Sequence, residues 1–125
     1  MNVVDSCGWL EYFANGDNAD FFAPMLEDIE HLGVPSLVVF EVGKRVALQR
    51  GEAAARQAMD FMAQGVPLPL SAETALAAAL YSALHQIPLA DSIILVSARE
   101  HNATLWTQDS DLKGHDGVMY REKKQ

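Results

Sequence analysis

The chain is poor in cysteine and in positive charge, and it has no long apolar run. A single cysteine, Cys7, among 125 residues rules out an intrachain disulfide framework and an all-cysteine zinc site. Nine Lys and Arg stand against seventeen Asp and Glu, a formal net charge of −8. That balance argues against a broad basic surface for nucleic acid. The argument weakens if several carboxylates are metal ligands, because their charge is then cancelled where it matters. A basic partner, or a basic edge on a dimer, could also supply a positive field. Apolar runs fall far short of the roughly 20 residues that a membrane-spanning helix needs. Met1-Asn2-Val3-Val4 meets Asp5 with no basic segment before it, so no signal peptide is read there. A soluble, cytoplasmic protein is the expectation.

Familiar chemical motifs are missing too. There is no Walker A loop, no G-x-G-x-x-G and no G-x-S-x-G elbow. Ser6 and Ser92 have no nearby histidine in a nucleophile arrangement. His31, His85, His101 and His115 are scattered without metal-ligand spacing and read as surface or helix-end residues. Cys7 reads as a packed thiol, and Trp9 and Trp106 read as core residues rather than base-stacking platforms.

What is present is a substantial core. Half of the residues are hydrophobic, which at this length indicates one domain over residues 1–125, with 121–125 as a polar tail. Met1 to Val4 reads as a short central strand, and Ser6 can cap a helix running to about Asn15. Asp20 opens a second helix along Phe21, Phe22, Met25, Leu26 and Ile29, stopped at His31-Leu32-Gly33. Val34-Pro35 can be only a brief strand, because proline has no donor for the ladder. Ser36 then caps a helix to Gln49 with Val39, Val42 and Val46 on one stripe and Glu41 on another face. Glu52 to Gln64 is a further helix, with Ala55, Met59 and Met62 at helical spacing.

Val66 to Leu70, with two prolines, suits a sheet edge. The helix after Ser71 has its body through Leu76, Ala79, Leu80, Ala83 and Leu84. Val118-Met119-Tyr120 reads as a last edge strand. Strands alternating with helices through short loops predict an α/β domain with three layers, a central and mainly parallel sheet flanked by helices.

The stretch from Leu89 to Leu112 carries the chemistry. An acidic helix start at Asp91 follows Pro88, and Asn102 suits the helix stop. The strand Ala103 to Thr107 then runs into Gln108-Asp109-Ser110-Asp111. In an open α/β sheet, ligands bind outside the carboxyl ends of the strands. Asp109 and Asp111 lie at one such end, and Asp5 holds the same position after the first strand. Each acid has an ordinary alternative role: Asp5 as a helix cap, Glu41 as a surface partner of Lys44 or Arg45, Asp91 at a helix dipole, Asp109 and Asp111 in a turn. Together they point elsewhere. Carboxylates held close repel one another unless a cation sits among them, and an all-oxygen set suits Mg²⁺ or Mn²⁺.

These residues resemble a known family. The order V-V-D-S near the start, a glutamate in the helix after Pro35-Ser36, L-A-D-S-I-I-L-V-S-A, and T-L-W-T-Q-D-S-D-L are similar to the PIN domain, and within it to VapC-type toxins of bacterial toxin–antitoxin pairs. The resemblance covers essentially the whole chain. It implies that Asp5, Glu41, Asp91 and Asp109 are the four acidic catalytic and metal-binding positions, with Asp111 a further acid and Ser6 and Thr107 in support. It implies an Mg²⁺- or Mn²⁺-dependent endoribonuclease, a homodimer, and inhibition by a VapB-like antitoxin that inserts a segment into the site. Lys44, Arg45 and Lys113 are candidate contacts to RNA phosphates. Two other readings stay open. One is a PIN-like module that binds a partner protein without catalysis; the other is a metal-dependent nuclease or phosphatase acting on a different phosphoester.

Overall fold

A computed structural model describes residues 1–124 of the chain. Five strands form one sheet: β1 (Asn2–Val4), β2 (Leu32–Pro35), β3 (Val66–Leu68), β4 (Thr104–Thr107) and β5 (Val118–Tyr120). Their spatial order is β3-β2-β1-β4-β5, and every neighbouring pair is parallel. Six helices connect and cover them: α1 (Ser6–Phe13), α2 (Ala19–Glu27), α3 (Ser36–Arg50), α4 (Glu52–Met62), α5 (Ala72–His85) and α6 (Leu89–Glu100). Successive strand residues point to opposite faces, and Val3 and Val4 are both wholly buried. Both faces of the sheet are therefore covered, giving the expected three layers. The two proline-bearing or terminal candidates, β3 and β5, are the edges.

Parallel strands put their carboxyl ends on one side, which is what gathers the acids. β1 and β4 are neighbours, with Asn2 opposite Thr104 and Val4 opposite Trp106. The residues just beyond them, Asp5 and the Gln108-Asp109 corner, thus leave the sheet side by side. The backbone N–H of Asp5 donates to the Trp106 carbonyl at 2.9 Å and prolongs the pairing by one bond. Gly8 lets α1 lie down at once against β1. A Cβ there would stand 2.5 Å from Val4 Cγ1 and 2.7 Å from the Phe22 ring. Phe61 of α4 meets the Phe13 ring edge-on at 5.7 Å and the Trp9 ring at 6.1 Å, tying the α3–α4 hairpin to α1. Gly51, at φ +90°, makes the sharp turn of that hairpin.

Several local expectations are corrected. α1 is capped by Asp5 rather than Ser6. α2 ends at Glu27, and Ile29 falls in a short 3₁₀ turn, Ile29–His31. Pro24 inside α2 removes one helical donor and weakens its last turns. β2 is four residues long and fully buried, because Pro35 stands at its last position, where a missing donor costs least. In α3 the fully buried positions are Val38 and Val42, with Val39 and Val46 packed beside them. In α4 only Met62 is buried, and Met59 faces solvent.

α5 turns its leucines outward. Its inward line is Thr74 and Ala78, small enough for close approach to α6, and Ser82 Oγ donates to the Ile87 carbonyl at 2.7 Å. Leu76, Leu80 and Leu84 consequently point outward and are 62–77% exposed, as is Leu89 at 71%. The segment after β5 is docked, not free. The Arg121 N–H donates to the Thr107 carbonyl at 3.1 Å, and the Asn18 side chain donates to the Glu122 carbonyl at 3.0 Å. Gln125, the last residue of the expected tail, lies outside the described residues. Among the described residues no single helix is long and apolar enough to cross a membrane.

Candidate active site

Asp5, Asp91 and Asp109 each offer a carboxylate oxygen to one point, with all three oxygens within 4.8 Å of one another. Asp5 is 3% exposed and doubly anchored. Its Oδ1 accepts from the Ser6 N–H at 2.8 Å, and its Oδ2 accepts from Thr107 Oγ at 2.8 Å. Thr107, wholly buried at the end of β4, also accepts from the Asp109 N–H at 2.9 Å. One hydroxyl therefore holds the first acid by its side chain and the fourth by its backbone. Asp109 caps the 3₁₀ turn Ser110–Leu112, accepting from the Asp111 N–H at 2.9 Å.

Burial and mutual repulsion tune these groups. Burial raises the Asp5 pKa, opposed by hydrogen bonds from Thr107 and Ser6, while the Asp109 charge raises it further. Asp91, in the first turn of α6, is pushed up to about 7, first by burial and then by the charges of Asp109, Asp5 and Asp111. Glu41 is raised by burial, with Ser6 lowering it and the charges of Asp5 and Asp109 adding to the rise. Its Oε1 is buried without a hydrogen-bond partner. Glu41 and Asp111 lie outside the tight three-acid group; the charge of Asp111 raises Asp91, and Glu41 feels the charges of Asp5 and Asp109. Cys7 packs behind it, 3.6 Å from Asp5 Oδ2, and burial pushes its thiol up to about 12. That is a packed, protonated thiol, as its position in the sequence suggested.

The candidate phosphate contacts are spread out. Lys44 Nζ lies 6.0 Å over the Phe40 ring, and Lys113 Nζ lies 5.6 Å over the Tyr120 ring. Arg45 lines a cavity of about 550 Å³ between α1 and the α3–α4 hairpin, whose wall includes Cys7 and Gln108. Glu41 forms no ion pair with Lys44 or Arg45; the ion pairs among the described residues are His31–Asp28, Arg56–Glu52 and Arg121–Asp20. Sequence reading did not single out Asn18, whose Nδ2 donates to Gln108 Oε1 at 3.0 Å, nor Arg50 and Lys123 on the cavity wall. Asn18 sits in an Asn-Gly-Asp-Asn run that signals only a turn, so its inward role had no local mark. Nor did spacing reveal that Tyr81, His85 and His115 stack together, the two imidazoles 5.9 Å apart.

The donor set fits a hard divalent cation. It is all oxygen and anionic, with Asp5 and Asp91 buried and Asp109 half-buried, and no Lys, Arg or His is ion-paired to it among the described residues. Asp5, Asp91 and Asp109 would hold the ion, and the unpartnered Glu41 Oε1 is available to a ligand water. Such a centre can polarise a phosphoryl oxygen and activate water.

The family model of the PIN domain matches residues 3–118. No curated protein sequence matched the chain. Among solved structures, a toxin–antitoxin complex from Klebsiella pneumoniae is similar with a TM-score of 0.79 at 19% identity, over 95% of this chain and 96% of that one. Rickettsia felis VapBC2, bound to a DNA fragment from its promoter, gives 0.71 at 17% identity over 98% of each chain. Mycobacterium tuberculosis VapC20, a toxin that cleaves the sarcin–ricin loop, gives 0.73 at 14% identity over 94% of this chain and 98% of that one.

Proposed function

The chain belongs to the PIN domain family, and on that premise we propose that it is a divalent-metal-dependent endoribonuclease, the toxin of a toxin–antitoxin pair. The observation that carries this reading is the convergence of two buried carboxylates and a half-buried one, none of them ion-paired among the described residues, at the carboxyl end of a parallel sheet. A binding scaffold has no use for mutually repelling acids, whereas a cation site needs them. Mg²⁺ or Mn²⁺ bound there would lower the pKa of water and stabilise charge on the phosphoryl oxygens.

The chain's own residues divide the remaining work. Asp5, Asp91 and Asp109 bind the ion. Thr107 and Ser6 fix the Asp5 carboxylate, so its orientation is set before substrate arrives. Glu41 orients water through its free Oε1, and Asp111 adds negative charge at the rim. The raised pKa of Asp91 lets it hold a proton near neutral pH until a cation displaces it. Arg45, Lys44 and Lys113 contact RNA phosphates.

Two partners follow. The solved neighbours from Klebsiella pneumoniae and Rickettsia felis are toxin–antitoxin assemblies, which supports a VapB-like antitoxin as the inhibitor. A basic side chain inserted among these acids would neutralise them as a cation does. The outward leucine stripe of α5 supports a homodimer, since an apolar ridge of this length is costly in water. A cytoplasmic location completes the reading.

The test is cleavage of a mixed cellular RNA pool by purified protein with Mg²⁺ or Mn²⁺, beside EDTA and Asp91→Asn controls. Discrete cuts that vanish in both controls are expected. A folded, metal-binding protein that cuts no RNA would move the assignment to another phosphoester.

A further inference from the structure

The cavity beside the carboxylates gathers three cationic side chains in an acidic protein. Arg45 and Arg50 of α3 line one side. Lys123 reaches the same cavity from the far end of the chain. It does so because the terminal segment is pinned in two places. The Arg121 N–H donates to the Thr107 carbonyl, and the fully buried Asn18 donates both to the Glu122 carbonyl and to Gln108 Oε1. The guanidinium of Arg121 also lies 4.5 Å over the Phe21 ring and pairs with Asp20. The acid on the cavity wall, Glu11, is engaged, accepting from the Asn18 N–H at 2.9 Å. Three cations thus face a space whose lining includes Cys7 and Gln108, the first touching Asp5 and the second preceding Asp109.

We infer that this cavity is the track for single-stranded RNA leading to the carboxylates, and that the segment Arg121–Lys123 is a built part of it, with Lys123, Arg50 and Arg45 contacting successive phosphates. The inference rests on the ribonuclease reading and deepens it. Charge decides the occupant: with a net charge of −8, the protein as a whole repels a polyanion, so a phosphate backbone can approach the site only along a locally basic path. The lining also suits bases. Phe13 and Phe61 add aromatic surface to the same lining, and base–aromatic stacking tolerates any sequence. Asn18 is a positioning residue. It holds the tail that carries Lys123 and the Gln108 side chain next to Asp109 through one carboxamide.

The test uses the full chain and a fluorescent, mixed-sequence single-stranded RNA, with binding followed by anisotropy across a salt series in EDTA. For single strands, log affinity falls with log salt by about 0.7 for each phosphate contact. Lys123→Ala and Arg50→Ala should each weaken binding and flatten that slope by about 0.7, while Lys124→Ala, which lies off this cavity, should leave it unchanged. Asn18→Ala should reproduce the Lys123→Ala slope in a protein that still folds.

Cleavage kinetics with Mg²⁺ then separate the two levels. Lys123→Ala should raise KM and leave kcat near the wild-type value. A wild type that cuts RNA, with Lys123→Ala and Arg50→Ala matching it in KM and salt slope, would overturn the track and leave the nuclease standing. A folded wild type that neither binds nor cuts RNA would remove both.

Discussion

Thr107 Oγ donates to Asp5 Oδ2 at 2.8 Å while accepting from the Asp109 N–H at 2.9 Å, so a hydroxyl on β4 orients an acid that follows β1. Thr107→Val keeps the volume and removes both bonds. It leaves a buried carboxylate oxygen and a backbone N–H short of partners, a cost of about 1–3 kcal/mol. Loss of such an outer partner also weakens metal binding by roughly 10–100-fold. Thr107→Ser should restore both. Urea denaturation and Mn²⁺ titration check the pair, and a Thr107→Val protein with wild-type metal affinity would deny the hydroxyl its orienting role.

Asp91→Asn is expected to split stability from function. It removes a carboxylate that burial and three neighbouring acids disfavour. The metal-free variant should melt higher than the metal-free wild type, yet gain nothing from Mg²⁺ and cleave no RNA. Thermal melts in EDTA and in millimolar Mg²⁺ read both halves. A lower melting temperature in EDTA would mean that the acid is satisfied by the protein itself.

The pH dependence has a definite sign. The Asp91 carboxyl titrates near 3.8 when unfolded and about 7 when folded. Between those values the folded state binds more protons than the unfolded one, so metal-free stability falls as pH rises from about 4 to about 7 and then levels off. The raised pKa values of Asp5 and Glu41 act in the same direction. Mg²⁺ should reverse the trend, because it competes with protons for the same oxygens. Melting temperature against pH, with EDTA and with Mg²⁺, should give curves that diverge towards alkaline pH.

Gly8→Ala places a methyl 2.5 Å from Val4 Cγ1 and 2.7 Å from the Phe22 ring. Although alanine favours helix, the overpacking should cost about 1–3 kcal/mol and lift the start of α1, where Asp5 is the cap. Denaturant midpoints decide it, and an unchanged or raised midpoint would show that α1 can shift freely.

Leu80→Glu with Leu84→Glu should leave the fold intact, since both side chains are already exposed. If α5 carries the dimer contact, sedimentation velocity should show a wild-type dimer and a monomeric double variant with the same far-UV spectrum. A wild-type monomer would refute the dimer.

How much of this was legible in the chain depends on the range of the interaction. The elements were readable because they rest on local signals: Val3 and Val4 for a buried strand, Pro67 and Pro69 for an edge, Asn102 at φ +52° for a helix stop, and an aspartate after each of two strands. Strand-end acids could also be placed on one side, since a parallel sheet leaves no other choice.

Only the tertiary structure could decide what packs against what. The leucines of α5 carry a helical period as strong as a core face, yet Thr74 and Ala78 take the inside because close helix approach needs small side chains. Asn18 touches Gln108 and Glu122 across more than 80 residues of chain, and Lys123 shares a cavity wall with Arg50 across more than 70. Such contacts leave no periodicity or cap in the sequence. They exist because β4 lies beside β1, and that adjacency is settled by how the whole core closes.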